Sequence, residues 1–225
     1  APLAPIYHAA VFDSMQIDLP AVLVNIGGVA NLTYVSADDP NDLIGFDTGP
    51  GNALIDDFMM FRLQVACDHD GALAATGTVN HALISSWMCH PYFAQKWPKS
   101  LDRQDFSNVL TDAEFAGLSV GDAAATLTYF TAYTIAHAIG NLPMMPRSVF
   151  VAGGGRRNLT LMRDLSSCLS MPVMTEKTDA FDADMLEAEL MAFLAARFHY
   201  GLPTSFPSTT GCRRAVSGGQ LALAR

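Results

Sequence analysis

Basic residues are scarce in this chain. Thirteen Lys and Arg stand against 22 Asp and Glu in 225 residues, a formal net charge of −9. General affinity for nucleic acid rests on Lys and Arg neutralising phosphates, so that function class is set aside. The acidity leaves a nucleotide ligand open, because a helix start or a Gly-rich turn holds phosphates with backbone N–H groups. Uninterrupted apolar runs are also lacking. Gly, Pro or polar residues break every run well short of the ~20 residues a membrane span needs. Charge of either sign is sparse, at 16%, yet 50% of the residues are apolar. A disordered chain lacks the apolar surface to offset its ordering entropy, so the composition describes a globular fold.

Cysteine is sparse as well. Cys67, Cys89, Cys168 and Cys212 form no C-x-x-C pair. A chain this apolar needs no disulfide staples, which predicts free, buried thiols in a reducing cytoplasm. No charged segment followed by an apolar stretch and a cleavage site opens the chain, so no secretory signal is expected. Ala1-Pro2-Leu3-Ala4-Pro5, without a starting Met, reads like the interior of a longer protein. The 11 Met residues are expected to be core filler.

Several catalytic signatures are missing too. The six His residues make no H-x-x-x-H pair and no zinc-like set with the cysteines. Asp68-His69-Asp70-Gly71 lacks the remainder of a calcium loop, and no G-x-S-x-G elbow is present. No metal-ligating residue is assigned.

What the chain does have is a series of short buried-strand patterns ending in glycine. Ala21–Ile26 is an apolar, β-branched run that stops at Gly27-Gly28. Asn31–Val35 resumes a strand pattern, and Asp38-Asp39-Pro40-Asn41-Asp42 is a turn cluster. Leu43–Phe46 is a third strand, stopped by Asp47-Thr48-Gly49-Pro50-Gly51. Such close spacing predicts a three-strand antiparallel meander. Asn52 is placed as the cap of a helix carrying Leu54, Ile55, Phe58 and Met59. Residues 70–118 are mixed, with helical pieces near Asn80–Met88 and Asp105–Leu110, and a long helix runs from Asp122 to Ile139. Then come a strand at Ser148–Ala152, Gly153-Gly154-Gly155, a helix from Asn158 to Leu169, a strand at Pro172–Thr175 and a helix from Asp184 to His199. The expected class is α/β, one lobe with a mixed sheet flanked by helices.

Each glycine turn has two readings. Gly27 and Gly28, flanked by Asn25 and Asn31, either let a ligand approach the backbone or simply shape a hairpin. Asp47 either accepts a proton or orders a turn, and the helix start after Gly49, Gly51 and Asn52 either offers its N–H groups to a phosphate or does not. It is no dinucleotide fingerprint, since Leu54 stands where the third glycine belongs. Gly153, Gly154 and Gly155 together cost more conformational entropy than a plain turn requires, which favours a ligand there.

Asn25-Ile26-Gly27-Gly28-Val29-Ala30-Asn31-Leu32-Thr33 followed by Gly45-Phe46-Asp47-Thr48-Gly49-Pro50-Gly51-Asn52 closely resembles the anhydro-N-acetylmuramic acid kinase family. The likeness continues, in order, through Asp70–Gly77, Pro91-Tyr92-Phe93, Pro98-Lys99-Ser100, Gly153-Gly154-Gly155 with Asn158, Glu187-Ala188 and Pro207–Gly211. It implies a ribonuclease-H-like lobe of the actin–hexokinase superfamily, with ATP and Mg²⁺ bound between two lobes. It further implies conversion of 1,6-anhydro-N-acetylmuramic acid, ATP and water to N-acetylmuramic acid 6-phosphate. Asp47 matches the family's catalytic base, Gly27 and Gly28 its second phosphate loop, and Gly153 to Gly155 the loop near the adenosine.

The family's G-T-S-x-D-G loop has no counterpart here. The chain is therefore expected to be a C-terminal lobe, with residues 1–20 left from the inter-lobe connection, and to be inactive alone. Expected partners are an amino sugar and ATP, with no nucleic acid, no membrane, and a homodimer left open. The alternative is a non-catalytic nucleotide- or sugar-binding lobe.

Overall fold

The computed structural model describes residues 3–37, 39–111, 113–175 and 185–222. Helix α1 (Pro5–Ser14) opens with proline at its first turn, where the missing N–H costs nothing. Strands β1 (Ala21–Ile26), β2 (Val29–Val35) and β3 (Ile44–Pro50) form the expected antiparallel meander. Helices α2 (Asn52–Leu63) and α3 (His81–Trp87) follow, then the long α4 (Val120–Gly140). Strand β4 (Ser148–Ala152), α5 (Leu159–Leu169), α6 (Leu186–His199) and the single turn α7 (Pro207–Thr210) complete the order.

The sheet runs β3-β2-β1-β4, with β4 parallel to β1. Alternation sorts its two faces. Val22, Val24 and Ile26, Ala30, Leu32 and Tyr34, Phe46, and Val149 and Val151 point to one side, where α4 contributes Ile135 and Ile139 and α5 contributes Leu161 and Leu165. Ala21, Leu23, Val35, Phe150 and Ala152 point the other way and meet Ile6, Val11 and Phe12 of α1. Tyr7 of α1 donates its hydroxyl hydrogen bond to the Glu189 carboxylate on α6. A third, aromatic cluster beyond α4 joins Phe58, Trp87, Tyr92, Phe106, Phe115 and Phe130. Helix α4 lies between two cores, which explains why it is apolar almost all round. Among the described residues, no helix is long and apolar enough to cross a membrane.

Several elements depart from expectation. Strand β3 continues through Asp47-Thr48-Gly49-Pro50, because edge pairing with β2 tolerates a Pro at its end and a bulge beside Asn31. The strand expected at Pro172–Thr175 reduces to one parallel bridge, Phe150 to Met174, held by Val151 N–H to Met174 O and Met174 N–H to Val149 O, both 2.8 Å. Helix α1 has no counterpart in the sequence pattern. The helical piece expected at Asp105–Leu110 is a single 3-10 turn, Ser107–Val109. Asp184, the expected start of α6, lies outside the described residues, as does Asp38 of the turn cluster.

The thiols are free but not buried: Cys67 and Cys89 are exposed, and Cys168 and Cys212 are half-buried. A residue's place on a surface turn outweighs its apolar character. Methionine is likewise not mainly core filler. Met59 is buried and Met15, Met88, Met162 and Met171 pack half-buried against the cores, whereas Met60, Met144, Met145, Met174, Met185 and Met191 are exposed.

Candidate active site

Antiparallel register places residues on opposite strands side by side on one face. Asn25 of β1 faces Asn31 of β2, and Asn31 faces Asp47 of β3. Three polar side chains therefore stand in a row on the face that α1 partly covers, close to the glycine turns. Thr33 and His8 continue this polar strip beneath α1: His8 Nδ1 lies 2.8 Å from Thr33 Oγ1. His8 is 5% exposed, and burial holds its imidazole neutral by lowering its pKa to about 4.

Asp47 is half-buried. Its Oδ2 accepts the Leu101 N–H at 2.8 Å, and no hydrogen-bond partner meets its Oδ1 among the described residues. Its backbone is fixed as well, N–H to the Lys99 carbonyl and carbonyl to the Tyr92 hydroxyl. Burial raises the carboxyl pKa above the usual value, and the Leu101 N–H pulls it partly back. A carboxylate held by one oxygen, and made more basic by its surroundings, is suited to take a proton.

The three glycine turns interlock. Gly51, Asn52 and Ala53 donate their N–H groups to the Gly28, Gly27 and Gly28 carbonyls at 2.9, 2.7 and 3.1 Å. This corrects the expectation that the first amides of this helix face a phosphate: the hairpin turn takes them. Gly51, not Asn52, is the cap residue, and the Asn52 amide donates to Ile26 O at 3.3 Å. Gly153 adopts φ +80°, and a Cβ there would lie 2.5 Å from Ile26 O, so close backbone packing requires glycine. Gly49 and Gly155 are also packing positions, against Thr134 and Ile26.

Gly27, Gly28 and Gly154 differ. A Cβ there would meet nothing nearer than 3.6, 3.6 and 3.8 Å, so the backbone of these two turns is open, and Gly154 lines a cleft together with Asn25 and Asn31. Asn158 is buried, and its Oδ1 caps α5 by accepting Leu161 N–H at 2.9 Å.

Sequence reasoning missed His8 and the bordering arginines. A cleft of about 550 Å³ is lined by His8, Asn25, Asn31, Gly153, Gly154 and Arg156, with Glu187 of α6 at its rim. The signal for His8 is the interval from Pro5, which sets one turn of α1 against the strand below. Without the strand register that signal is silent. Among the described residues, no three His, Cys, Asp or Glu come together as a metal site.

Comparison with known proteins gives a consistent result. Residues 1–224 match the family model described as anhydro-N-acetylmuramic acid kinase. The chain is 48% identical over 225 residues to the anhydro-N-acetylmuramic acid kinase of Rhodopseudomonas palustris strain HaA2, covering 99% of this chain and 59% of that protein. It is 43% identical to the enzyme of that name from Zymomonas mobilis, covering 98% and 59%. The chain thus spans about three fifths of the length of the curated relatives it matches. Among solved structures, the activator of the 2-hydroxyisocaproyl-CoA dehydratase from Clostridium difficile with bound ADPNP aligns at TM-score 0.51 and 16% identity, over 88% of this chain and 68% of that one. Component A of the Acidaminococcus fermentans (R)-2-hydroxyglutaryl-CoA dehydratase aligns at 0.51 and 17%, over 84% and 67%. At such identities these neighbours show the fold alone, that of the ribonuclease-H-like, actin-like ATPases. The family match over nearly the whole length goes further: the chain belongs to the anhydro-N-acetylmuramic acid kinase family.

Proposed function

We propose that this lobe supplies the catalytic base and part of the nucleotide site of a kinase that converts 1,6-anhydro-N-acetylmuramic acid, ATP and water to N-acetylmuramic acid 6-phosphate, a cell-wall recycling reaction. The observation that carries the reading is the row Asn25–Asn31–Asp47 beside the open backbone at Gly27, Gly28 and Gly154.

Asp47 takes the proton from a water as its oxygen bonds to the anomeric carbon. The bond from that carbon to O6 breaks, and O6 becomes the acceptor of the phosphoryl group. One carboxylate is then enough, because the leaving oxygen is captured rather than protonated. Asn25 and Asn31 offer amide donors and acceptors to hydroxyls on either side of the reacting centre. ATP is the co-substrate that supplies the phosphoryl group. The residues present fit its phosphates, since the turns at Gly28 and Gly154 leave space that a side chain would fill. Mg²⁺ is commonly held by one or two carboxylates plus substrate phosphates and water, so it needs no three-ligand cage. Four free thiols, two of them exposed, suit a reducing compartment.

The lobe is read as inactive alone, since aligning two substrates is worth roughly 7–11 kcal/mol and calls for both walls of a cleft. The deciding experiment uses Asp47→Asn in the full-length enzyme. Asn still accepts the Leu101 N–H but cannot take a proton. Formation of sugar 6-phosphate is expected to fall about 10²–10⁴-fold, with calorimetric binding of sugar and nucleotide retained. Near-normal turnover would remove Asp47 from the mechanism.

A further inference from the structure

A second cavity, of about 580 Å³, opens on the opposite face of the sheet from the Asn25–Asn31–Asp47 row. It lies at edge strand β3, between the C-terminal half of α4 and the loop 93–99. Phe46 and Trp97 form one wall, their rings nearly parallel at 14° with centroids 5.7 Å apart. His137 of α4 and Asn141, which caps that helix, line the cavity with Lys99. No Asp or Glu appears among its described lining residues.

Lys99 is half-buried there. Its Nζ donates one hydrogen bond, to Tyr92 O at 3.1 Å, and lies 4.4 Å from the Tyr92 ring centroid. Among the described residues no carboxylate comes within ion-pair distance of it, and no acceptor meets the Trp97 indole N–H. Burial lowers the pKa of Lys99, and burial and the Lys99 charge together lower that of His137. A cation half withdrawn from water and lacking a counter-ion is costly unless something negative joins it.

We propose that this cavity binds a small organic monocarboxylate. Its flat apolar body lies along the Phe46–Trp97 wall, and its carboxylate meets the Lys99 ammonium and the Trp97 N–H. Concave, mainly apolar walls with a few convergent polar groups are the usual form of a small-ligand site. Of the two lysines in the lining, Lys96 is exposed to water and only Lys99 is half-buried. One withdrawn ammonium among neutral donors matches a single negative charge, whereas a phosphate dianion calls for more cationic donors. Lys99 and Tyr92 also hold the Asp47 backbone, but the site is judged by ligand binding and not by turnover, so its test is distinct from that of Asp47.

The test titrates the full chain with phenylacetate, with inorganic phosphate and with phenethylamine. Calorimetry is followed alongside the fluorescence of Trp97, Trp87 being a buried background. Saturable binding of phenylacetate is expected, with neither phosphate nor the amine saturating. Lys99→Met should weaken phenylacetate about tenfold or more. Trp97→Leu should weaken it too, with melting curves confirming that both variants fold. No saturable phenylacetate signal, equal binding of the amine or phosphate, or unchanged affinity in a folded Lys99→Met each overturns the proposal. If Lys99→Met fails to fold, the three probes on the unmodified chain decide alone.

Discussion

The same four strands build both faces of the sheet, one residue apart, and the two faces have opposite uses. Toward α4 and α5, Val24, Leu32 and Val151 are fully buried in a dry core. On the other face, α1 and α6 cover Ala21, Leu23, Val35, Phe150 and Ala152, while Asn25, Asn31 and Asp47 stay only half-buried. Buried apolar area holds the dry face, at roughly 25 cal/mol per Å². The cleft face gives up that gain at Asn25, Asn31 and Asp47, which the proposed function assigns to a ligand. Stability and chemistry are thereby separated by the strand period of two. Each substitution below asks whether that separation is real.

The largest effect on folding is expected from Leu32→Ala. Leu32 is fully buried on the dry face, and removing it leaves a cavity that α4 and the strands cannot close. A loss of about 2–5 kcal/mol is expected in urea unfolding. Nucleotide binding by the folded fraction should be unchanged. A loss of affinity as large as that of stability would mean the faces are coupled through the sheet.

Much of this arrangement is legible in the sequence, and the rest fails for identifiable reasons. The runs Ala21–Ile26 and Ser148–Ala152 declare themselves because buried strands need β-branched apolar residues and glycine ends them. Asn158 caps α5 through its side-chain oxygen at the expected helix start, whereas α4 begins ahead of the expected Asp122, capped by the Ser119 hydroxyl. The extent of β3 is hidden, since Thr48-Gly49-Pro50 carries turn residues that only edge pairing can turn into strand. The loss of helix-start amides at Gly51, Asn52 and Ala53 is also hidden, because their acceptors belong to another turn more than 20 residues earlier. Which glycines pack and which stay open depends on contacts between turns, so spacing alone cannot sort Gly153 from Gly154. The Asn25–Asn31–Asp47 row needs the register, and a one-residue slip would send it to the dry face.

A smaller and pH-dependent effect is expected at His8, where the cleft face passes beneath α1. Its folded pKa is about 4 against an ordinary 6.5, so between those values the unfolded chain binds a proton that the folded chain does not. Stability from this group is therefore full above about pH 6.5 and falls as pH drops toward 4. The total is at most about 3 kcal/mol. Urea midpoints between pH 7 and 4 should decline more steeply for the unmodified chain than for His8→Gln, whose amide can still pair with Thr33. Parallel profiles would show that another group governs acid unfolding.

The smallest effect on stability is expected one residue from Leu32, at Asn31. Its side chain points to the cleft face, is half exposed, and has no hydrogen-bond partner among the described residues. Asn is also a poor strand former, so replacing it by Ala gives up little intrinsic preference. Asn31→Ala should shift the unfolding free energy by no more than about 0.5 kcal/mol, the range of substitutions away from packed or hydrogen-bonded sites. Calorimetric affinity for the sugar in the full-length enzyme is expected to fall at the same time, because an amide that contributes nothing to the fold remains available to the ligand. Loss of stability comparable to Leu32→Ala would place Asn31 among the structural residues. Unchanged sugar affinity would instead remove Asn31 from the proposed substrate contacts. Adjacent residues of one strand, with the folding penalty on one and the binding penalty on the other, are the sharpest measure of how completely the sheet divides the two tasks.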